Sequence, residues 1–146
     1  MFNPHRHHRP VTLTNTTDAP SGHRSSHQLH LETTHLAIAP AAFFRFWKPA
    51  VQLAGARFFG NGRLADATLA TSKDELRPIV PLILQTIEML QPHEQIFLAA
   101  LLSFYDATEG GRLLQQFGVG SLADFHRLNF QQRTLLAGLF LNHIGW

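Results

Sequence analysis

The chain has 146 residues and carries 12 Lys and Arg against 10 Asp and Glu, a formal net charge of +2. Apolar residues make up 45% and charged residues only 15%, which excludes a highly charged disordered chain as a description of the whole. Because there is no cysteine, disulfides, thiol nucleophiles and cysteine-ligated metal centres are excluded as well.

The first 35 residues differ in composition from the rest. They contain seven apolar residues and seven of the ten histidines, whereas residues 72–146 hold 36 apolar residues in 75. So few apolar side chains cannot bury enough surface to offset the conformational entropy lost on folding. We therefore predict a disordered tail over 1–35 and a single helical domain over 36–146. No secretory signal and no transmembrane segment is evident, and a cytoplasmic location is the default expectation.

The segment 36–71 is aromatic and basic. Pro49 is expected to end a helix over 41–48, a second short helix is expected over 50–59, and another turn of helix over 64–70. Aromatic and arginine side chains are enriched at the energetic centres of protein interfaces. The predicted partner-binding residues are Phe43, Phe44, Arg45, Phe46, Trp47 and Lys48. The alternative is that these rings pack on the C-terminal helices as ordinary core.

Residues 72–146 show a succession of helix signals. Ser72 with Glu75 has the spacing of a capping box, the prolines at 78 and 81 favour a helix over about 78–90, and Pro92 opens the next. That helix has no polar side chain over 96–102, which predicts a central position surrounded by other helices.

Three further start signals follow at Asp106, Ser121 and Asn129, each with an acidic or amide residue three positions later, and Gly118 suits a helix stop. Strand signals are nearly absent. The predicted fold is all-α, a compact bundle of about five to seven short helices with a disordered N-terminal tail.

A Gly118-Val119-Gly120 turn lies between two of these helices. Residues 113–123 resemble the hairpin of helix-hairpin-helix modules, in which turn amides and the next helix N-terminus hold a nucleic-acid phosphate. The resemblance implies phosphate contacts by Gly118, Gly120 and Ser121, flanked by Arg112 and Arg127. Against this, residues 72–146 carry seven acidic and five basic side chains, whereas nucleic-acid affinity comes largely from basic ones.

Metal and catalytic chemistry find little support in the sequence. His23, His27 and His30 would share a face if helical and could coordinate a metal, but histidines in a solvated tail explain the same pattern. His93-Glu94 lacks the second histidine of a zinc-protease motif, since position 97 is Phe97. We expect no enzyme, no resident metal and no cofactor.

The sequence therefore predicts a small non-enzymatic protein–protein interaction or regulatory module, with a protein partner or self-association as the binding event. The alternative is a nucleic-acid-binding accessory protein that uses the Gly118–Gly120 turn.

Overall fold

The computed structural model describes residues 25–146, in which every regular element is a helix, with short connections and no β-strand. This confirms the all-α prediction. Most of the predicted tail, residues 1–24, lies outside the described part of the chain. The six α-helices are α1 (Ser26–Ala54), α2 (Leu64–Leu69), α3 (Val80–Thr86), α4 (Pro92–Tyr105), α5 (Ala107–Gln116) and α6 (Phe130–Asn142). Short 3-10 helices cover Ala56–Phe58, Lys73–Leu76, Ile87–Met89 and Leu122–Arg127.

Helix α1 is a single helix of 29 residues, where the sequence predicted two short ones and a tail reaching residue 35. It begins with a capping box between Ser25 and Gln28 and runs through both Pro40 and Pro49. A proline inside a helix costs about 3 kcal/mol because it removes one hydrogen bond and crowds the preceding turn. Around Pro49 that cost is offset by burial, since Phe43, Trp47 and other side chains of this half are in the core.

Helix α4 is the centre of the bundle. All seven side chains from Ile96 to Leu102 are buried, which confirms the prediction made from their unbroken apolar run. Helix α5 folds back on α4 after the single residue Asp106 and packs so closely that Gly110 lies against the Ser103 backbone.

Helices α1 and α6 form the other main pair. Gly138 of α6 lies against the ring of Phe46, and His143, just after α6, lies against Phe43. Residue numbers thus fall along α1 as they rise along α6, so the two helices are antiparallel. The C-terminal end of α6 reaches α1 near Pro40 and Phe43, where Ile144 and Trp146 line a shallow cleft with them.

Most local start signals are found where the sequence placed them, but the predicted Ser72–Glu75 capping box does not form: the Ser72 hydroxyl donates to Oε1 of Glu75 and caps no backbone amide. Asp106 accepts from the amides of Thr108 and Glu109 at the start of α5, and Asn129 and Gln132 form a reciprocal capping box at the start of α6. The segments after Ser72 and Ser121 are 3-10 helices instead of α-helices. The 3-10 helix after Ser121 has no fully buried side chain, and Phe125 is only partly buried against the core, so little packing extends it into a longer helix.

Candidate interaction surfaces

The predicted partner-binding segment lies largely inside the protein. Trp47 has 0% exposure, its indole Nε1 donates to the carbonyl of Leu76 at 3.1 Å, and its ring contacts Phe43, Phe59 and Trp146. Phe43 is also buried, and it stacks on Trp47 with the ring centroids 5.6 Å apart. Both are core residues, which corrects their assignment to an interface: the helical spacing of four places them on the face that packs against the bundle.

The other four members of that segment border the core. Phe44 and Phe46 are partly buried, and Lys48 donates to the carbonyl of Ala70 at 2.9 Å. Only Arg45 among the six is exposed. Residues 43–48 therefore do not form a continuous exposed aromatic surface.

The Gly118–Gly120 turn has the glycine geometry that the sequence predicted. Gly118 has a φ of +77°, and the amide of Val119 reaches back to the carbonyl of Leu114 at 2.8 Å, which closes the end of α5. The amides of Gly120 and Ser121, however, both donate to Oδ2 of Asp124, at 2.9 and 2.8 Å. The protein's own carboxylate thus occupies the position that a phosphate would take.

The arginines that flank this turn are engaged as well. Arg112 pairs with Glu109 at 3.1 Å and also donates to Gln116, while Arg127 donates to the carbonyl of Phe117 at 2.8 Å. A phosphate at this turn would have to displace Asp124 and face its negative charge. The geometry does not favour nucleic-acid recognition here.

The Asp124 carboxyl should make its contribution to stability only when ionised. Hydrogen bonds from the Ser121 and Gly120 amides and the Ser121 hydroxyl hold the pKa of Asp124 below its usual value. Its bonds therefore stabilise the fold above about pH 4, and this contribution is lost as the pH falls through the lowered pKa. We expect Asp124→Asn to melt at a lower temperature than the parent at pH 7. The difference in melting temperature between the parent and Asp124→Asn, measured by circular dichroism, should be smaller at pH 3 than at pH 7. An equal difference in melting temperature at both pH values would contradict a role for the Asp124 charge.

Of the three histidines predicted as possible metal ligands, the described residues include two, which lie three positions apart on α1 and so share a face as predicted. His23 lies outside them, and His27 and His30 are exposed on the first turns of α1. Within residues 25–146 there is no group of three or more His, Cys, Asp or Glu side chains with a geometry that could hold a metal ion.

The most unusual surface is the start of α1, of which residues 26–35 were predicted to belong to the disordered tail. Residues 26–38, the first half of α1, are exposed except for the partly buried His35. We call residues 26–38 the overhang. At 1.5 Å per residue, it is a segment of helix about 20 Å long that does not pack on the bundle. Tertiary packing begins at Ala39, the first buried residue of α1.

The overhang carries apolar side chains on the same face that α1 buries in the bundle. Leu29 and Leu36 are 49% and 57% exposed, and they precede the buried Phe43 at intervals of seven residues. Because seven residues make nearly two full turns, these three side chains form one stripe along the helix. Leu31 and Ile38, also seven apart and exposed, form a shorter stripe on the opposite side. The sequence contained two signals for this helix, the Ser25–Gln28 capping pattern and the heptad spacing of Leu29, Leu36 and Phe43.

A second exposed apolar surface covers the outer side of α6. Phe130, Ala137 and Leu141 are exposed along one face, and Phe140 beside them is 76% exposed. Leu135, Leu139 and other residues on the inner face are buried, so α6 is apolar on both sides. Contiguous exposed apolar patches on a protein surface commonly mark interaction sites.

Two clefts among residues 25–146 are both small. One, of about 250 Å³, is lined by residues that include Gly60, Asp66 and Glu75, and the other, of about 260 Å³, by Phe43, Lys73 and Trp146 among others. Sites for small molecules usually enclose about 300–1,000 Å³. The carboxylate of Glu75 is held by the side chains of Thr71 and Ser72, which lower its pKa.

Comparisons with known protein families, with curated proteins and with solved structures give no match for this chain. Among residues 25–146, no helix combines the length and the apolar character needed to cross a membrane.

Proposed function

We propose that this chain is a non-enzymatic helical module that binds a protein partner through the overhang of α1. The observation that carries the proposal is the exposed Leu29–Leu36 stripe, which continues the buried face of α1 beyond the point where the bundle covers it. A helix that presents an apolar stripe at positions seven apart is a common mode of protein recognition.

The overhang has little to stabilise it as an isolated helix. Helices of fewer than about 12–15 residues are marginal in water, and the overhang consists of 13 residues that include Ser26, Thr33 and Thr34, which are weak helix formers. A partner that covers the Leu29–Leu36 stripe would supply the apolar burial that the bundle supplies to the rest of α1. Binding and helix stability would then be coupled.

The charge of the overhang favours a protein over a nucleic acid or a membrane surface. Residues 25–40 contain no Lys or Arg, and Glu32 is their only acidic residue. Nucleic-acid binding depends on basic side chains, and helices that lie on membranes usually carry them on their polar face. An apolar stripe with no Lys or Arg among residues 25–40 is suited to another apolar protein surface.

The test is a variant that places charge on the stripe without touching the bundle. We expect Leu29→Glu with Leu36→Glu to abolish partner capture by the immobilised full chain, because both side chains would bring a carboxylate into the apolar contact. Thermal melting of the bundle should stay close to that of the parent, since neither side chain is buried. Bound proteins would be identified by cross-linking and mass spectrometry, with nuclease treatment to remove nucleic acid.

Leu69→Glu provides the matched control, because Leu69 is 75% exposed and lies on α2, away from the overhang. It should bind as the parent does. If the double variant retains the partners of the parent chain, the interaction surface lies elsewhere and the outer face of α6 becomes the next candidate.

A further inference from the structure

We infer that the overhang docks onto the overhang of a second copy of this chain, in an antiparallel pair around a two-fold axis. This inference rests on the proposed function and names its partner. The overhang continues the α1–α6 interface: inside the bundle α6 lies against the α1 face that carries Phe43, and α6 ends near Pro40. Leu36 and Leu29 extend that face for about 20 Å with no described residue over it.

The direction of α6 also fits such a partner. Because α6 is antiparallel to α1, an antiparallel second overhang runs in the same direction as α6 and begins near the place where α6 stops. The segment after Asn142 does not follow the overhang: Ile144 lies beside Pro40, and Trp146 packs on Trp47 and Tyr105. The second helix would therefore take the position that a longer α6 would occupy.

The stripe is complementary to itself in a single register. With the two-fold axis between residues 32 and 33, Leu29 of each copy faces Leu36 of the other, and Glu32 faces Thr33. Shifting the axis to residue 36 would set Leu29 against Phe43, which the bundle already buries. An interface around a two-fold axis uses the same patch on both subunits, as this register does.

The net charge does not oppose the association of two copies, although this register sets the Glu32 carboxylates of both copies beside the axis. The full chain carries a formal net charge of only +2, and residues 25–146 carry nine basic and nine acidic side chains. Proteins with a net charge near zero associate more readily than charged ones. Two overlapping helices of about 20 Å make a small interface, so we expect a weak and concentration-dependent dimer.

The absence of cysteine makes the register directly testable by cross-linking in the full chain. A disulfide requires the two Cα atoms to come within about 4.4–6.8 Å. Thr33 lies beside the predicted axis, so Thr33→Cys should form a disulfide-linked dimer under mild oxidation. Leu29→Cys should link poorly to itself but well to Leu36→Cys when the two variants are mixed. Ala137→Cys, on the exposed face of α6, is the matched control and should remain monomeric on non-reducing gels.

Sedimentation velocity of the unmodified chain, at concentrations rising from micromolar to several hundred micromolar, should show a shift from monomer to dimer that Leu29→Glu with Leu36→Glu removes. A monomer throughout this range would overturn the inference, as would self-linking of Leu29→Cys above that of Thr33→Cys, or efficient linking of Ala137→Cys. If the chain is monomeric but still captures another protein through Leu29 and Leu36, the proposed function stands and only the self-pairing fails.

Discussion

Replacing Trp47 by alanine is expected to destabilise the bundle by about 3–5 kcal/mol, which is the usual cost of removing a fully buried Trp or Phe side chain. Trp47 has 0% exposure, and its indole contacts the rings of Phe43, Phe59 and Trp146. The substitution also leaves the carbonyl of Leu76 without the indole donor. Because small domains are stable by only about 5–15 kcal/mol, a large part of the total is lost.

Urea denaturation, monitored by the circular dichroism of the helices instead of by tryptophan fluorescence, would measure this loss of unfolding free energy. Arg45→Ala is the matched control, since Arg45 lies two residues away on the same helix and is exposed. Its effect should stay within about 0.5 kcal/mol. If Trp47→Ala kept the stability of the parent and lost only partner binding, Trp47 would be an interface residue, as the aromatic composition of this segment had suggested.

Signals that act within a few residues could be read from the sequence, and they located most of the helices. Asp106 and the Asn129–Gln132 pair cap the helices that follow them because their side chains reach backbone amides two or three residues away. Such hydrogen bonds depend on local spacing alone. The central position of α4 was equally readable, because its unbroken apolar run can be satisfied only by burial on all sides.

The continuity of α1 could not be read in this way. Pro49 is an obstacle in the local sequence, and the compensating burial of Phe43 and Trp47 comes from α4, α6 and the segment around Leu76, which are distant along the chain. The same limit applied to the candidate site. Composition shows that aromatic residues cluster at 43–48, but only the fold shows which of their faces is covered.

The glycine turn illustrates a different limit. Its backbone shape was predictable, since Gly118 has the positive φ that favours glycine. What the sequence pattern left open was the role of Asp124, whose carboxylate takes both of the amides that a phosphate would need. A resemblance in turn geometry therefore says little about ligand binding until the partners of each amide are known.

Alanine substitution of the two adjacent glycines of α5, Gly110 and Gly111, should change the stability of the protein in opposite directions. A Cβ atom at Gly110 would collide with the backbone of Ser103 on α4, whereas a Cβ atom at Gly111 would meet nothing within 4 Å. Gly111→Ala should stabilise the protein by about 0.5–1 kcal/mol, because alanine loses less backbone entropy than glycine on forming a helix. Gly110→Ala has the same benefit but must push α4 and α5 apart, and overpacking of this kind costs about 1–3 kcal/mol or more.

Chemical denaturation of the two variants beside the parent would measure this contrast, and each variant serves as the control for the other. They share the same chemical change, the same helix and nearly the same distance from the Asp106 cap, so a difference between them reports the α4–α5 contact alone. Because the two nearest clashing atoms are the backbone N and Cα of Ser103, a rotamer change cannot relieve the collision. Equal changes in unfolding free energy for the two substitutions would mean that α5 does not pack closely on α4 at Gly110.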